Sequence, residues 1–134
     1  MVNKREIYHC NLDPVKGSEQ KGVRPVLIIS NNSVNHNIPV ATIIPFSSYN
    51  IDDKIYPTET FLPKEITGLH KDSILMIHQI RTISQSRLRK KEGSIENKEF
   101  QENIKPRQYK YHPKTERELA VEEAQAILMH SLNK

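Results

Sequence analysis

One cysteine, no tryptophan and four glycines in 134 residues remove several classes of protein at the outset. Cys10 has no second thiol to pair with, so no internal disulfide supports the fold. No leader of charged, then apolar, then small residues opens the chain, and the expected compartment is the cytoplasm. No apolar run approaches the roughly 18 residues that a membrane helix needs. The histidines are scattered singly and nothing has zinc-like spacing, so neither membrane nor metal nor any other cofactor is expected. A net charge of +4 favours an anionic partner but falls far short of the dense basic tracts of chromatin proteins. The length suits one core and is too short for two ordinary ones.

Read for periodicity, the first two thirds predict short strands. Glu6 to Leu12 alternates and ends at Asp13-Pro14, and Arg24 to Ser30 forms a second strand. A turn-rich stretch, Asn31 to Asn37, leads to a third run over Val40 to Phe46, where Pro45 suggests an edge or a bulge. Thr58 to Leu62 is short and β-rich, and Ser73 to Ile83 reads as one long strand. Several short strands suggest a small barrel. Ile95, Phe100 and Ile104 lie near helical spacing in a segment from Ile95 to Lys105 that Pro106 stops. After a polar, proline-bounded linker from Arg107 to Pro113, Thr115 and Glu118 fit a capping box that starts a final helix. Its predicted buried stripe is Ala120, Ala124, Ile127, Leu128 and Ser131. The expected division is residues 1–105 as the main domain and 106–134 as a helical extension.

The stretch from Gly17 to Ser30 carries the chemistry. Gly17 and Gly22 bracket a polar loop and permit unusual backbone angles, and the loop delivers Arg24 directly into an apolar strand. Pro25 fixes its own φ and biases Arg24 towards extended geometry, so backbone stiffness sets the direction of the guanidinium. A preorganised cation at a strand's mouth suits a phosphate. The plain alternative is a surface ion pair.

Taken together, Gly17-Ser-Glu-Gln, Val23-Arg-Pro-Val-Leu-Ile-Ile, Pro45-Phe-Ser-Ser, Tyr56-Pro-Thr and Asp72-Ser-Ile-Leu with Gln79-Ile-Arg-Thr-Ile resemble the MazF/PemK family of toxin endoribonucleases. The resemblance runs from about Lys4 to Phe100. It implies a mainly β fold, a small SH3-like β-barrel of MazF/CcdB type with C-terminal helices, here with an extra one. It further implies a homodimer that cuts single-stranded mRNA without metal and is held by a cognate antitoxin, touching DNA only through that antitoxin complex. Where the family usually carries Gly-Asp before the first strand, this chain carries Arg5-Glu6, and His78 stands where an acidic residue often precedes the glutamine. The same barrel also resembles that of the CcdB gyrase inhibitors, which bind and do not cut. A third reading is a regulatory relative controlled by its C-terminal extension.

By this resemblance Arg24 is the catalytic cation. The catalytic hydroxyl falls on Ser47, or on Ser48 in a gapless alignment from Tyr56-Pro57, although Ser-Ser after Pro-Phe is also good turn chemistry. The family's products, a 2′,3′-cyclic phosphate and a 5′-hydroxyl, follow from attack by the RNA's own 2′-hydroxyl. A general base is missing from this constellation, with Glu19 and His78 as the available candidates. Expected RNA contacts are Lys16, Gln20, Lys21, Tyr56, Gln79 and Arg81, with Lys54 beside them.

Overall fold

The computed structural model describes residues 1–17, 19, 22–104 and 116–132. The strands are β1 (Glu6–Asn11), β2 (Val23–Ile28), β3 (Val40–Ser48), β4 (Glu59–Leu62), β5 (Ser73–Met76), β6 (Arg81–Ser84) and β7 (Leu88–Ser94). The helices are α1 (Asn32–Asn35), α2 (Lys64–Thr67), α3 (Asn97–Asn103) and α4 (Glu116–Leu132). One seven-stranded sheet runs in the order β4-β5-β3-β2-β1-β7, with β6 also paired to β3, and every pairing is antiparallel. The fold is mainly β with C-terminal helices, as expected, but the sheet is not closed: β4 and β7 are its edges.

β3 is the hub. Its first half pairs with β6 from Val40↔Ser84 to Ile43↔Arg81, and its second half pairs with β5 from Phe46↔Leu75 to Ser48↔Ser73. Between β5 and β6 a 3-10 turn, Ile77–Gln79, bulges out of the ladder, so the predicted single strand over 73–83 is broken there. An apolar run cannot reveal such a break, because Ile77 is buried in the turn just as it would be in a strand. Pro45 sits where β3 exchanges β6 for β5, a point of interrupted pairing at which a missing N–H donor costs least.

Strand pleating sorts the apolar residues onto two faces. Leu27, Ile29, Ile44, Phe46 and Leu75 join Ile95, Phe100, Ile104, Ala124 and Leu128 in the larger cluster, so α3 and α4 cover this side. Val26, Ile28, Ala41, Ile43, Cys10, Leu12 and Ile83 form the second. On α4 the buried positions are Val121, Ala124, Gln125 and Leu128, while Ala120 and Ile127 are exposed. The predicted stripe was therefore rotated, because Gln125 takes a place that hydrophobicity alone assigns to an apolar residue. The Thr115 cap lies outside the described residues. Lys4 fastens the start of the chain to the end of α4: its ammonium donates to the Ser131 carbonyl and to Asn31 Oδ1, and stands 5.6 Å from the Phe100 ring centre.

At the turn into β1, Arg5 adopts φ 75°, the left-handed region that favours glycine. The turn is held by Arg5 N–H to the Ile28 carbonyl, Ile95 N–H to the Arg5 carbonyl, and the guanidinium to the Ile95 carbonyl at 3.1 Å. The glycine-like conformation is thus kept with an arginine in place. Just beyond it, Glu6 accepts from Tyr8 Oη at 3.1 Å and pairs with Lys91 of β7 at 2.6 Å.

Two outcomes follow. Replacing Arg5 by Gly or by Ala removes the same guanidinium, but only Gly relieves the backbone; in urea unfolding Arg5→Gly is expected to exceed Arg5→Ala by about 1 kcal/mol. Burial, then the Glu6 charge and hydrogen bond, push the Tyr8 phenol up to about 12 from 10.0. The folded state therefore favours the neutral phenol, a contribution complete below pH 10 and lost as pH rises through about 12. Stability measured across that alkaline window falls less steeply in Tyr8→Phe than in the wild type.

Candidate active site

β2 and β3 pair only from Ile28↔Ile43 to Val26↔Pro45, and beyond that pair they part. β2 continues alongside β1, with Cys10↔Arg24 and Asn11↔Val23, while β3 turns to β5. A cleft of about 630 Å³ opens where they separate, lined by Asp13, Gly22, Val23, Arg24, Pro25, Phe46, Ser47, Ser48 and Ser73. That volume lies within the range of roughly 300 to 1,000 Å³ common for small-ligand sites, the scale of one linkage and its attached groups.

The pleat orients the walls. Arg24 is in phase with Val26 and Ile28 along β2, and Ser47 is in phase with Ile43 along β3, all on the face of the second cluster. Ser48 is in phase with Phe46 and Ile44, which belong to the opposite face. Arg24 and Ser47 therefore share a face that Ser48 does not. Arg24 and Ser47 are each partly exposed, and Phe46 and Ser73 close the floor as buried residues.

The β1–β2 loop forms the remaining wall, and its base is tightly tied. Leu12 N–H donates to the Gly22 carbonyl at 2.9 Å, and Gly22 N–H donates to Asp13 Oδ1 at 3.1 Å. Gly17 and Gly22 have φ of 57° and 80°, which accounts for glycine at both ends of the loop. Behind the wall Arg87 Nη1 donates to the Asp13 carbonyl at 2.6 Å, and Arg81 Nη1 reaches the Leu12 carbonyl at 3.4 Å. Burial raises the pKa of the neighbouring Cys10 thiol, against the pull of Arg87, Arg81 and Arg89, so this cysteine is packing and not a nucleophile.

The other predicted residues spread out from this centre. Lys16 and Glu19 are exposed on the β1–β2 loop, where the Glu19 carboxylate accepts from Lys16 N–H at 2.9 Å. Gln20 and Lys21 lie outside the described residues. Arg81 lies on β6, behind the loop base. Tyr56 is exposed, with Lys54 Nζ 5.3 Å from its ring centre. Gln79 and His78 are in the 3-10 turn against which α4 packs, and neither lines the cleft. Sequence reasoning missed Asp13, Phe46 and Ser73 as cleft residues. Asp13 was legible only as a turn former before proline.

Residues 3–104 match the family model described as PemK-like, MazF-like toxin of type II toxin-antitoxin system. The chain is 34% identical over 102 residues to an endoribonuclease MazF of Staphylococcus saprophyticus, covering 76% of this chain and 84% of that protein. In fold it is similar to MazF from Deinococcus radiodurans, with a TM-score of 0.64 at 18% identity over 96% of each chain. It is likewise similar to a mycobacterial endoribonuclease solved in complex with its cognate antitoxin, with a TM-score of 0.56 at 17% identity over 97% of this chain and 96% of that one.

Proposed function

The chain belongs to the family of PemK-like, MazF-like toxins of type II toxin-antitoxin systems and is a toxin endoribonuclease, and from that premise we propose that Arg24 and Ser47 cut single-stranded RNA by turning its own 2′-hydroxyl onto the adjoining phosphorus. The observation that carries this reading is their common position: one cleft, one sheet face, at the point where β2 and β3 part.

RNA brings its nucleophile with it, so the protein has to align the 2′-oxygen and stabilise the charge that gathers on the phosphoryl oxygens. Arg24 offers a planar fork of donors matched to two of those oxygens. A guanidinium is not deprotonated in proteins, so the part of this side chain is electrostatic stabilisation rather than proton removal. The Ser47 hydroxyl donates to the scissile phosphate and fixes its orientation. The products are a 2′,3′-cyclic phosphate and a 5′-hydroxyl. Exposed Lys16, Lys54 and Tyr56 extend the RNA path outside the cleft, through backbone charge and base stacking. The partner that restrains the enzyme is a cognate antitoxin, a reading supported by relatives solved with theirs. The working form is a cytoplasmic homodimer that meets DNA only through the antitoxin complex.

The test is cleavage of a long single-stranded RNA in the presence of chelator, with product ends identified. Discrete cuts ending in cyclic phosphate are expected, and intact RNA beside inhibited gyrase would favour the CcdB-like binder instead. Arg24→Ala should lose about 100- to 1,000-fold in kcat, the effect of removing one oriented donor. Ser47→Ala should lose roughly 10- to 100-fold, the scale of a hydrogen bond to a charged group, with Ser48→Ala close to wild type. A larger loss in Ser48→Ala than in Ser47→Ala would overturn the assignment of the hydroxyl.

A further inference from the structure

The reaction read above needs a group that takes the 2′-hydroxyl proton, and we propose that Asp13 is this general base. The inference rests on the proposed 2′-hydroxyl mechanism and completes it. Among the described residues lining the cleft, Asp13 is the one carboxylate. Glu19 is turned to the Lys16 amide, and His78 lies in the 3-10 turn, away from the lining.

Asp13 is also built to be aimed. Its residue is exposed to the cleft. Gly22 N–H holds Oδ1 at 3.1 Å, which leaves Oδ2 without a hydrogen bond to any described residue. Asn11 Oδ1 accepts from the Asp13 N–H at 3.1 Å, and Arg87 grips its carbonyl at 2.6 Å. The main chain is therefore fixed on both sides of the Cα, and one carboxylate oxygen is fixed in front of it. A base held in this way loses little freedom when substrate arrives. The charged groups around it are Arg24 across the cleft, Arg87 behind the loop and Arg81 at the Leu12 carbonyl.

In the step itself, the proton leaves O2′ for Asp13 Oδ2 as the O2′–P bond forms and the P–O5′ bond breaks. The departing 5′-oxygen takes a proton from water, and the hydroxide so produced is neutralised by the proton that Asp13 releases. Charge and atoms balance, and the carboxylate is restored.

Asp13→Asn is the discriminating change, because the amide oxygen still accepts from Gly22 N–H while the base is gone. With wild type and Arg24→Ala as controls, single-turnover cleavage by Asp13→Asn should fall roughly 100- to 10,000-fold. Affinity for a 2′-O-methyl RNA of the same sequence should stay within about threefold, as expected of a step in the chemistry. Cleavage by Asp13→Asn within about threefold of wild type would overturn the proposal and leave the roles of Arg24 and Ser47 standing. Intact RNA with the wild type would remove both readings together.

Discussion

β3 has to satisfy three strands at once, and the rest of the molecule is arranged around how it does so. A strand has two edges, and β3 gives one of them first to β6 and then to β5, while β2 holds the other only as far as Pro45. Two breaks result. The first is the 3-10 turn Ile77–Gln79, expelled from the ladder and covered by α4. The second is the cleft, which exists because β2 stays with β1 when β3 leaves it. A sheet with unbroken pairing between β2 and β3 would bring Arg24 and Ser47 side by side with no room for a phosphate between them. The open sheet and the cleft are thus consequences of one exchange of partners.

The base of the loop that walls the cleft is tied from two sides. Loop backbone is usually the softest part of a small domain. Here three successive carbonyls, of Asn11, Leu12 and Asp13, accept from Arg87 or Arg81, and Gly22 closes the loop base from the other side. These guanidiniums stand behind the wall and leave its open face to Arg24 and Asp13. A cation and a carboxylate thus face one small volume, the pair of groups on which the proposed chemistry draws.

Much of this could be read from the residues. The Gly-bracketed loop and the arginine before Pro25 are local signals whose meaning survives folding; the Pro-Phe-Ser-Ser stretch lies in β3 rather than in a turn, yet the chain does bring Arg24, Ser47 and Ser48 into one cleft. That the two serines lie on different faces emerged only from the pleat, because sequence alone does not say where a strand begins its alternation. β7 was missed for a different reason. Leu88-Arg-Lys-Lys-Glu-Gly-Ser has no apolar period to detect, since an edge strand with a wet face needs none. α4 was anticipated but rotated, because Gln125 is buried where an apolar residue was expected. Asp13 was hidden by its neighbour: before a proline, an aspartate announces a turn, and any second task it has is silent.

The same polar β7 has a further effect. It is one margin of the sheet and leaves a row of backbone donors and acceptors with no strand beyond it. Such a margin is a template on which chains can stack into fibrils. Arg89 and Lys90 are exposed on it, so a second copy arriving in register would set like charges against each other. Surplus charge on this margin therefore works against strand-on-strand stacking of copies of a small, half-open sheet.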